Sequence, residues 1–160
     1  MKEVINTDIN YGDQIQIVSF KLGNEEFGID IAKVKEINKL SNISKVPNAP
    51  RFVEGIVNLR GMIVPLVGLR TKLNLPRKEY DNKTRIVIVE FEGKSIGLIV
   101  DEVNEVLRID NSVLEDPASM SKDIKNEYID SFIKLGEKIL ILLNLQPILN
   151  DKDEIYSSVN

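Results

Sequence analysis

The hairpin RIVIVEFEGKSIGLIV, residues 85–100, decides the fold because an earlier version of it, QIQIVSFKLGNEEFGIDI, occupies residues 14–31. Both segments alternate apolar and polar residues around a glycine-containing turn, which is typical of a β-hairpin. Their first strands match best when Ile15 is aligned with Ile86, and this alignment gives the later hairpin a shorter turn at Gly93. The identities are Ile15/Ile86, Ile17/Ile88, Val18/Val89 and Phe20/Phe91.

The repetition continues beyond each hairpin. FGIDIAKVKEI (27–37) aligns with IGLIVDEVNEV (96–106) without a gap, and this alignment pairs Gly28 with Gly97. A fainter match pairs VEGIVNLRGMIVPLVGL (53–69) with IDSFIKLGEKILILLNL (129–145), so that Val53 is aligned with Ile129. The chain therefore reads as two copies of one strand-rich unit.

The duplication sets the expected domain organisation. One domain spans residues 13–150, its halves meet near residue 82 (13–82 and 83–150), and flexible tails flank it at 1–12 and 151–160. A unit of about seventy residues buries little surface alone, so we expect the halves to pack together with a groove at their seam. Whether strands are exchanged between the halves is left open.

Strand signals dominate the chain. Short β-branched runs separated by Gly, Asn and Pro recur about every ten residues, as in small barrels or sandwiches. Helices are predicted only at 69–74, in part of 121–130, and from about residue 146.

Composition excludes many kinds of chemistry. The 160 residues contain no cysteine and no histidine, so thiolate nucleophiles, the usual neutral-pH base and the commonest metal ligands are missing. The net charge of −4 disfavours polyanionic partners, and the aromatic residues are too scattered for an oligonucleotide-binding barrel. Without a signal peptide or an apolar run of about 20 residues, the chain is expected in the cytoplasm.

The segment NLRG lies between two apolar runs that form the arms of a predicted hairpin, 53–59 and 62–67. Gly61 supplies the positive φ that tight hairpin turns require. Arg60 is then expected to project into solvent beside Asn58. Either this segment is only a soluble turn, or it is a recognition tip whose guanidinium binds carboxylates or carbonyl groups.

The repeated segments KVKEI and EVNEV raise a second question. Alternation predicts that Val34 and Glu36 share one face of their strand, as do Val103 and Glu105. The glutamates either protect edge strands from aggregation or form the rim of a valine-lined seam that holds a partner helix. Glu115 and Asp116 are the one candidate acid/base pair, but we expect them in a solvated loop.

Four stretches together resemble the chemotaxis coupling proteins of the CheW family, from about residue 13 to about residue 150. The FVxGxxNLRG pattern is the most specific part of the match. The stretches are FGIDIAKVKEI (27–37), VPNAPRFVEGIVNLRGMIVPLVGLR (46–70), TRIVIVEFEGKSIGLIVDEVNEVLRI (84–109) and ILILLNLQPIL (139–149).

The resemblance implies a mainly β fold of two packed five-stranded, SH3/OB-like β-barrels with a few short helices. It also implies a non-enzymatic adaptor, recruited to membrane-associated receptor arrays, that links methyl-accepting chemoreceptor tips to the regulatory CheW-like domain of the histidine kinase CheA. Cofactors, metals, nucleic acids and direct membrane insertion are not expected. The alternatives are the same adaptor in another motility or signalling array, a small oligonucleotide-binding barrel, and a hydrolase with paired carboxylates.

Site residues follow from the same resemblance. A receptor helical hairpin is expected in the groove between the halves, and the kinase at barrel ends away from it. The implied receptor-binding residues are Val34, Glu36, Ile37, Asn58, Arg60, Gly61, Ile63, Val103 and Val106. The chain departs from the family at Gly68, where many relatives have an aspartate that caps a short helix, although glycine is tolerated there.

Overall fold

The structure is a computed structural model that describes residues 14–115, 124–150 and 155. The first copy of the unit contains five strands and one short helix. These are β1 (Gln14–Leu22), β2 (Glu25–Asp30), β3 (Val34–Lys39), β4 (Val53–Leu59), β5 (Met62–Gly68) and α1 (Leu69–Lys72).

The second copy repeats this order with one added short strand, β9, before its last hairpin. Its elements are β6 (Arg85–Phe91), β7 (Lys94–Val100), β8 (Glu102–Asp110), β9 (Leu114–Glu115), β10 (Ile129–Leu135), β11 (Lys138–Leu143) and α2 (Leu145–Ile148). Single 3₁₀ turns lie at Ile31–Lys33, Asn111–Val113 and Asn126–Tyr128. The predicted helices at 69–74 and from about 146 are confirmed as single turns, and the helix predicted within 121–130 is the 3₁₀ turn, with residues 121–123 outside the described part.

Each sheet combines strands from both copies. The five-stranded sheet has the order β3-β6-β7-β5-β4, and the six-stranded sheet has the order β8-β1-β2-β11-β10-β9. The β1–β2 hairpin of the first copy therefore pairs with strands of the second copy, and the β6–β7 hairpin pairs with strands of the first. The two copies exchange hairpins, which answers the question that the sequence left open.

Both sheets are rolled into barrels, which confirms the mainly β fold. In the six-stranded sheet, β8 and β9 lie at opposite edges although only the turn Asn111–Val113 separates them in the chain. The sheet must therefore curl until its edges meet; we call it barrel A. In the five-stranded sheet, barrel B, Ser44 follows edge strand β3 and forms a β-bridge to Ile56 on the other edge strand.

Buried apolar residues in the described part of the chain form three clusters. Barrel B encloses one, around Leu66 and Ile88, and barrel A encloses another, around Ile17 and Leu140. The largest cluster, the shared core, draws buried residues from both sheets and includes the stacked rings of Phe20 and Phe27, 6.0 Å apart. The seam between the halves is therefore packed with side chains, and the groove expected there is not open at its interior.

The two hairpin turns are equal in length, which corrects the prediction of a shorter turn at Gly93. Gly23 and Asn24 link the strands of the first hairpin, where Leu22 pairs with Glu25, and Glu92 and Gly93 link those of the second, where Phe91 pairs with Lys94. Structural equivalence in the hairpins therefore follows the alignment that pairs Gly28 with Gly97. The alignment that pairs Ile15 with Ile86 is two positions out of register.

A partly buried ion pair secures the crossover from barrel B to barrel A. Asp101, between β7 and β8, accepts hydrogen bonds from Arg70 Nε at 2.9 Å, Arg70 Nη2 at 2.5 Å and the backbone N–H of Gly23 at 2.7 Å. Burial alone raises the pKa of Asp101, but the bonds from Arg70 and Gly23 outweigh it and hold the pKa below its ordinary value of 3.8.

We expect Asp101→Asn to lower the free energy of unfolding at pH 7 by about 1–2 kcal/mol, because it removes one charge from this partly buried network. A lowered folded-state pKa stabilises the fold above the unfolded pKa, and this stabilisation is lost as pH falls through the folded value. Urea unfolding should therefore show the variant and the wild type converging as the pH falls below 3.8. An equal difference at pH 7 and at acid pH would mean that charge is not the cause.

Candidate partner-binding surface

The β4–β5 turn is a rigid and exposed tip. Arg60 and Gly61 both have positive φ, at 52° and 87°, as a two-residue type I′ hairpin turn requires. Asn58 Oδ1 accepts a hydrogen bond from the Gly61 N–H at 2.8 Å and so fixes the turn from within. The side chain of Arg60 is 72% exposed, as the sequence predicted, and points away from the core.

Arg60 is paired with a carboxylate at this tip. Its Nη2 lies 2.5 Å from Glu36 Oε2, and the Glu36 side chain is 30% exposed. The hydrogen bond from Arg60 lowers the pKa of Glu36, and the same bond raises the pKa of Arg60. Since β3 and β4 are the two edges of the five-stranded sheet, this pair bridges the gap between them. We call this gap the first opening.

A β-bulge changes the faces predicted for the repeated valines and glutamates. Val34 pairs with Val89 and Glu36 pairs with Ile88, so Lys35 is an extra residue in β3. Directly opposite residues share a face and neighbours alternate, so Val34 and Glu36 lie on opposite faces. The prediction of a shared face was wrong, because the alternation rule assumes an unbroken ladder.

The same correction applies to the second copy. Val103 pairs with Phe20 and Glu105 pairs with Ser19, which makes Asn104 the bulged residue of β8. Val34 and Val103 pack, partly buried, against the shared core. Glu36 and Glu105 are instead turned toward the interiors of their own barrels, at the rims.

The remaining implied receptor-binding residues are exposed. Ile37 is 40% exposed, Ile63 is 53% exposed and Val106 is 51% exposed, and all three lie on the faces that continue the shared core. At the first opening, Arg60 is hydrogen-bonded to Glu36 and Gly61 is hydrogen-bonded to Asn58. Val103 and Val106 belong to barrel A and so lie on the other side of the seam.

Four exposed large apolar or aromatic residues of the described part were not among the predicted site residues, namely Met62, Tyr80, Val113 and Ile139. Met62, next to the turn, is 59% exposed, and Ile139 on β11 is 38% exposed. The alignment of Val53 with Ile129 contained the signal for Ile139, because it places this residue at the position of Ile63. Exposed apolar side chains thus occur at matching positions of both copies.

A polar cluster explains the unusual Gly68. Glu54 is bound by both terminal nitrogens of Arg77 at 3.0 Å and by the Tyr80 hydroxyl at 2.8 Å. A Cβ atom at Gly68 would lie 2.7 Å from Glu54 Oε2. Gly68 precedes α1 without a side-chain cap, so an aspartate at this position would meet a second carboxylate. Burial, followed by the bond to Glu54, raises the pKa of Tyr80.

Other candidate chemistry finds no support in the described ranges. Glu115 lies on β9, not in the solvated loop that the sequence predicted, and it pairs with Lys134 at 3.4 Å, while Asp116 falls outside the described residues. No group of three or more potential metal ligands occurs among the residues that the structure describes. None of the helices in that part of the chain is long and apolar enough to cross a membrane.

Comparison with known proteins gives a consistent result. The CheW-like domain family matches residues 16–153. The chain is 34% identical over 138 residues to the chemotaxis protein CheW of Klebsiella aerogenes, covering 86% of this chain and 83% of that protein. It is 31% identical over 156 residues to the chemotaxis protein CheW of Bacillus subtilis, covering 97% of each.

A solved structure agrees with these relatives. The crystal structure of the scaffolding protein TtCheW from Thermoanaerobacter tengcongensis superposes with a TM-score of 0.79 at 36% identity. The match covers 84% of this chain and 92% of that one. The similarity therefore extends over the whole two-barrel fold.

Proposed function

The chain belongs to the family of CheW-like domains, and from that premise we propose that it is a non-enzymatic adaptor that couples chemoreceptors to the histidine kinase CheA. One surface takes the helical tip of a methyl-accepting receptor, and another takes the CheW-like regulatory domain of the kinase. The names of its relatives, which are chemotaxis proteins and a scaffolding protein, support a scaffold rather than an enzyme.

The observation that carries the proposal is the tip at the first opening. Arg60 projects from a type I′ turn, and one of its nitrogens is held by Glu36, which leaves other N–H donors of the guanidinium facing solvent. Exposed Ile37 and Ile63 lie on the strands beside it. Apolar side chains around a fixed cation suit an amphipathic helix whose polar edge carries a carboxylate or a carbonyl group.

The second wall of the receptor site is formed by β8. Val34 and Val103 both pack against the shared core, so their neighbours Ile37 and Val106 border the same seam from opposite barrels. A receptor helical hairpin laid along this seam contacts both edge strands, β3 and β8. The groove is therefore shallow, because the shared core already fills the space below it.

Coupling follows from two separate binding surfaces on one rigid body. A change in the receptor alters the free energy of its contact, and linkage passes that change to the kinase contact. The kinase binds barrel surfaces away from the rim. In this role the adaptor sits at the cytoplasmic tips of receptors in a membrane-associated array, and no bond is made or broken.

A bridging experiment tests the proposal. A soluble helical-hairpin fragment of a methyl-accepting receptor from the same genome is immobilised and mixed with the regulatory domain of CheA, with or without this chain. We expect kinase retention only when the chain is present, and retention that rises until the receptor sites are filled. Retention of neither partner would refute the proposal, and selective capture of a different receptor–kinase pair would assign the adaptor to another motility array.

A further inference from the structure

The duplication makes the two barrels comparable residue by residue. Bulges occur at the aligned residues Lys35 and Asn104, and again at the aligned residues Glu54 and Asp130. In the same alignments Glu105 occupies the position of Glu36, and Gly136 occupies the position of Arg60. The alignments therefore place a counterpart of the first opening in barrel A, between β8 and the β10–β11 turn, and we call it the second opening.

The second opening keeps the glutamate, but Gly136, which has no side chain, stands at the position of Arg60. Gly136 has φ of 65°, close to the 52° of Arg60, so the turn presents its residue in the same left-handed conformation. A Cβ atom at Gly136 would meet nothing within 4 Å, so the space is open. Glu105 is exposed, and its described hydrogen bonds are made by its backbone, to the Ser19 hydroxyl.

Nearby lysines are already engaged elsewhere. Lys134, at the end of β10, pairs with Glu115 at 3.4 Å, and Lys138, at the start of β11, pairs with Glu26 at 3.2 Å. Glu137, beside Gly136 in the turn, is exposed and adds a second negative charge. Among the described residues, no ion pair neutralises Glu105.

The alignments also place exposed apolar residues at the second opening. Val106 is 51% exposed and Ile139 is 38% exposed, and they correspond to Ile37 and Ile63 at the first opening. An exposed carboxylate at a barrel rim, with exposed apolar side chains on β8 and β11, suits a helix that carries a lysine or an arginine among apolar residues. Charge complementarity thus specifies the occupant as cationic.

We propose that Glu105 is the docking point for an arginine or lysine of the receptor tip, which takes in trans the place that Arg60 fills within the chain at the first opening. This inference rests on the proposed function, because it takes the cation from the receptor, and Val106 already borders the proposed receptor site. The two openings then bind groups of opposite charge. The first offers a cation to the receptor, and the second accepts one.

The test measures binding of the immobilised receptor hairpin to purified variants by surface plasmon resonance. Glu105→Gln is expected to weaken binding about tenfold and to reduce its dependence on salt, since a charge-assisted contact is lost. Gly136→Arg is expected to weaken binding by a similar factor, because an internal arginine then occupies Glu105. Gly136→Asn, which tolerates the left-handed turn, is the matched control and should stay within about twofold of wild type.

Several outcomes separate this proposal from the proposed function. Unchanged receptor binding by Glu105→Gln, with binding still lost in Arg60→Glu, overturns the docking point and leaves the adaptor function standing. The docking point is also overturned if Glu105→Gln weakens binding of the CheA regulatory domain instead. If the wild-type chain does not bind the receptor hairpin, both the docking point and the adaptor function are overturned. Thermal unfolding of each variant, expected within a few degrees of wild type, excludes misfolding as the cause.

Discussion

Replacing Arg60 by glutamate is expected to weaken binding to the receptor hairpin at least tenfold, while binding to the CheA regulatory domain stays within about twofold. The side chain is 72% exposed, and its replacement by glutamate places two carboxylates side by side at the first opening. Titration of each partner by isothermal calorimetry measures both affinities. Equal loss of both would mean that Arg60 supports folding rather than recognition.

A charge swap separates the ion pair that Arg60 forms with Glu36 from the receptor contact that we propose for it. The double variant Glu36→Arg with Arg60→Glu restores an ion pair across the first opening but reverses its polarity. If Arg60 contacts the receptor directly, the swap recovers thermal stability without recovering receptor binding. Recovery of full receptor affinity would show instead that the pair acts only by closing the barrel.

Cutting the chain between Asn82 and Lys83 is expected to abolish folding of each fragment while the mixture refolds. Fragment 1–82 retains β3 but loses β6, its hydrogen-bonded neighbour, and its β1–β2 hairpin loses β8 and β11. Isolated hairpins are marginal in water, so neither fragment should show a cooperative transition by circular dichroism. An equimolar mixture should regain the β spectrum and a single thermal transition.

The matched control for this experiment is a chain with a protease site inserted between the same two exposed residues. Left uncut, it should unfold like the wild type, which shows that the insertion itself is harmless. Cooperative unfolding of either isolated fragment would contradict the exchange of hairpins between the copies. Each copy would then have to form a barrel from its own strands.

Much of the fold was predictable because hairpins carry strong local signals. The alternation in residues 14–31 and 85–100 identified both hairpins, and the break at NLRG identified the β4–β5 turn. The register between the copies was not predictable. The alignment of Gly28 with Gly97 and the alignment of Ile15 with Ile86 differ by two positions, and such a shift leaves every side chain on the same face. Only turn geometry, with two residues at each hairpin, distinguishes them.

Neither the exchange of hairpins nor the bulges could be predicted from the hydrophobic pattern. Either pairing of hairpins with strands buries the same apolar faces, so hydrophobic pattern does not distinguish them. A bulge such as that at Lys35 inserts one residue without changing composition, and it reverses the faces of everything that follows. This is why Val34 and Glu36 were assigned to one face.

The candidate site was predictable only in part. The exposure of Arg60 follows from its place in a tight turn. Its pairing with Glu36 depends on barrel closure, which brings an edge strand beside a turn 24 residues away in the chain. The role of Gly136 could not be predicted from the sequence, because it depends on the pairing of Arg60 with Glu36 at the corresponding position of the first copy.

The bridging capture measures most directly whether receptor and kinase bind this chain at the same time. Coupling predicts that the amount of CheA regulatory domain retained on the receptor hairpin rises with added wild-type chain and falls to background with Arg60→Glu. Competition would contradict it: if saturating kinase domain displaces the chain from the receptor hairpin, the two partners share one surface and the chain cannot couple them.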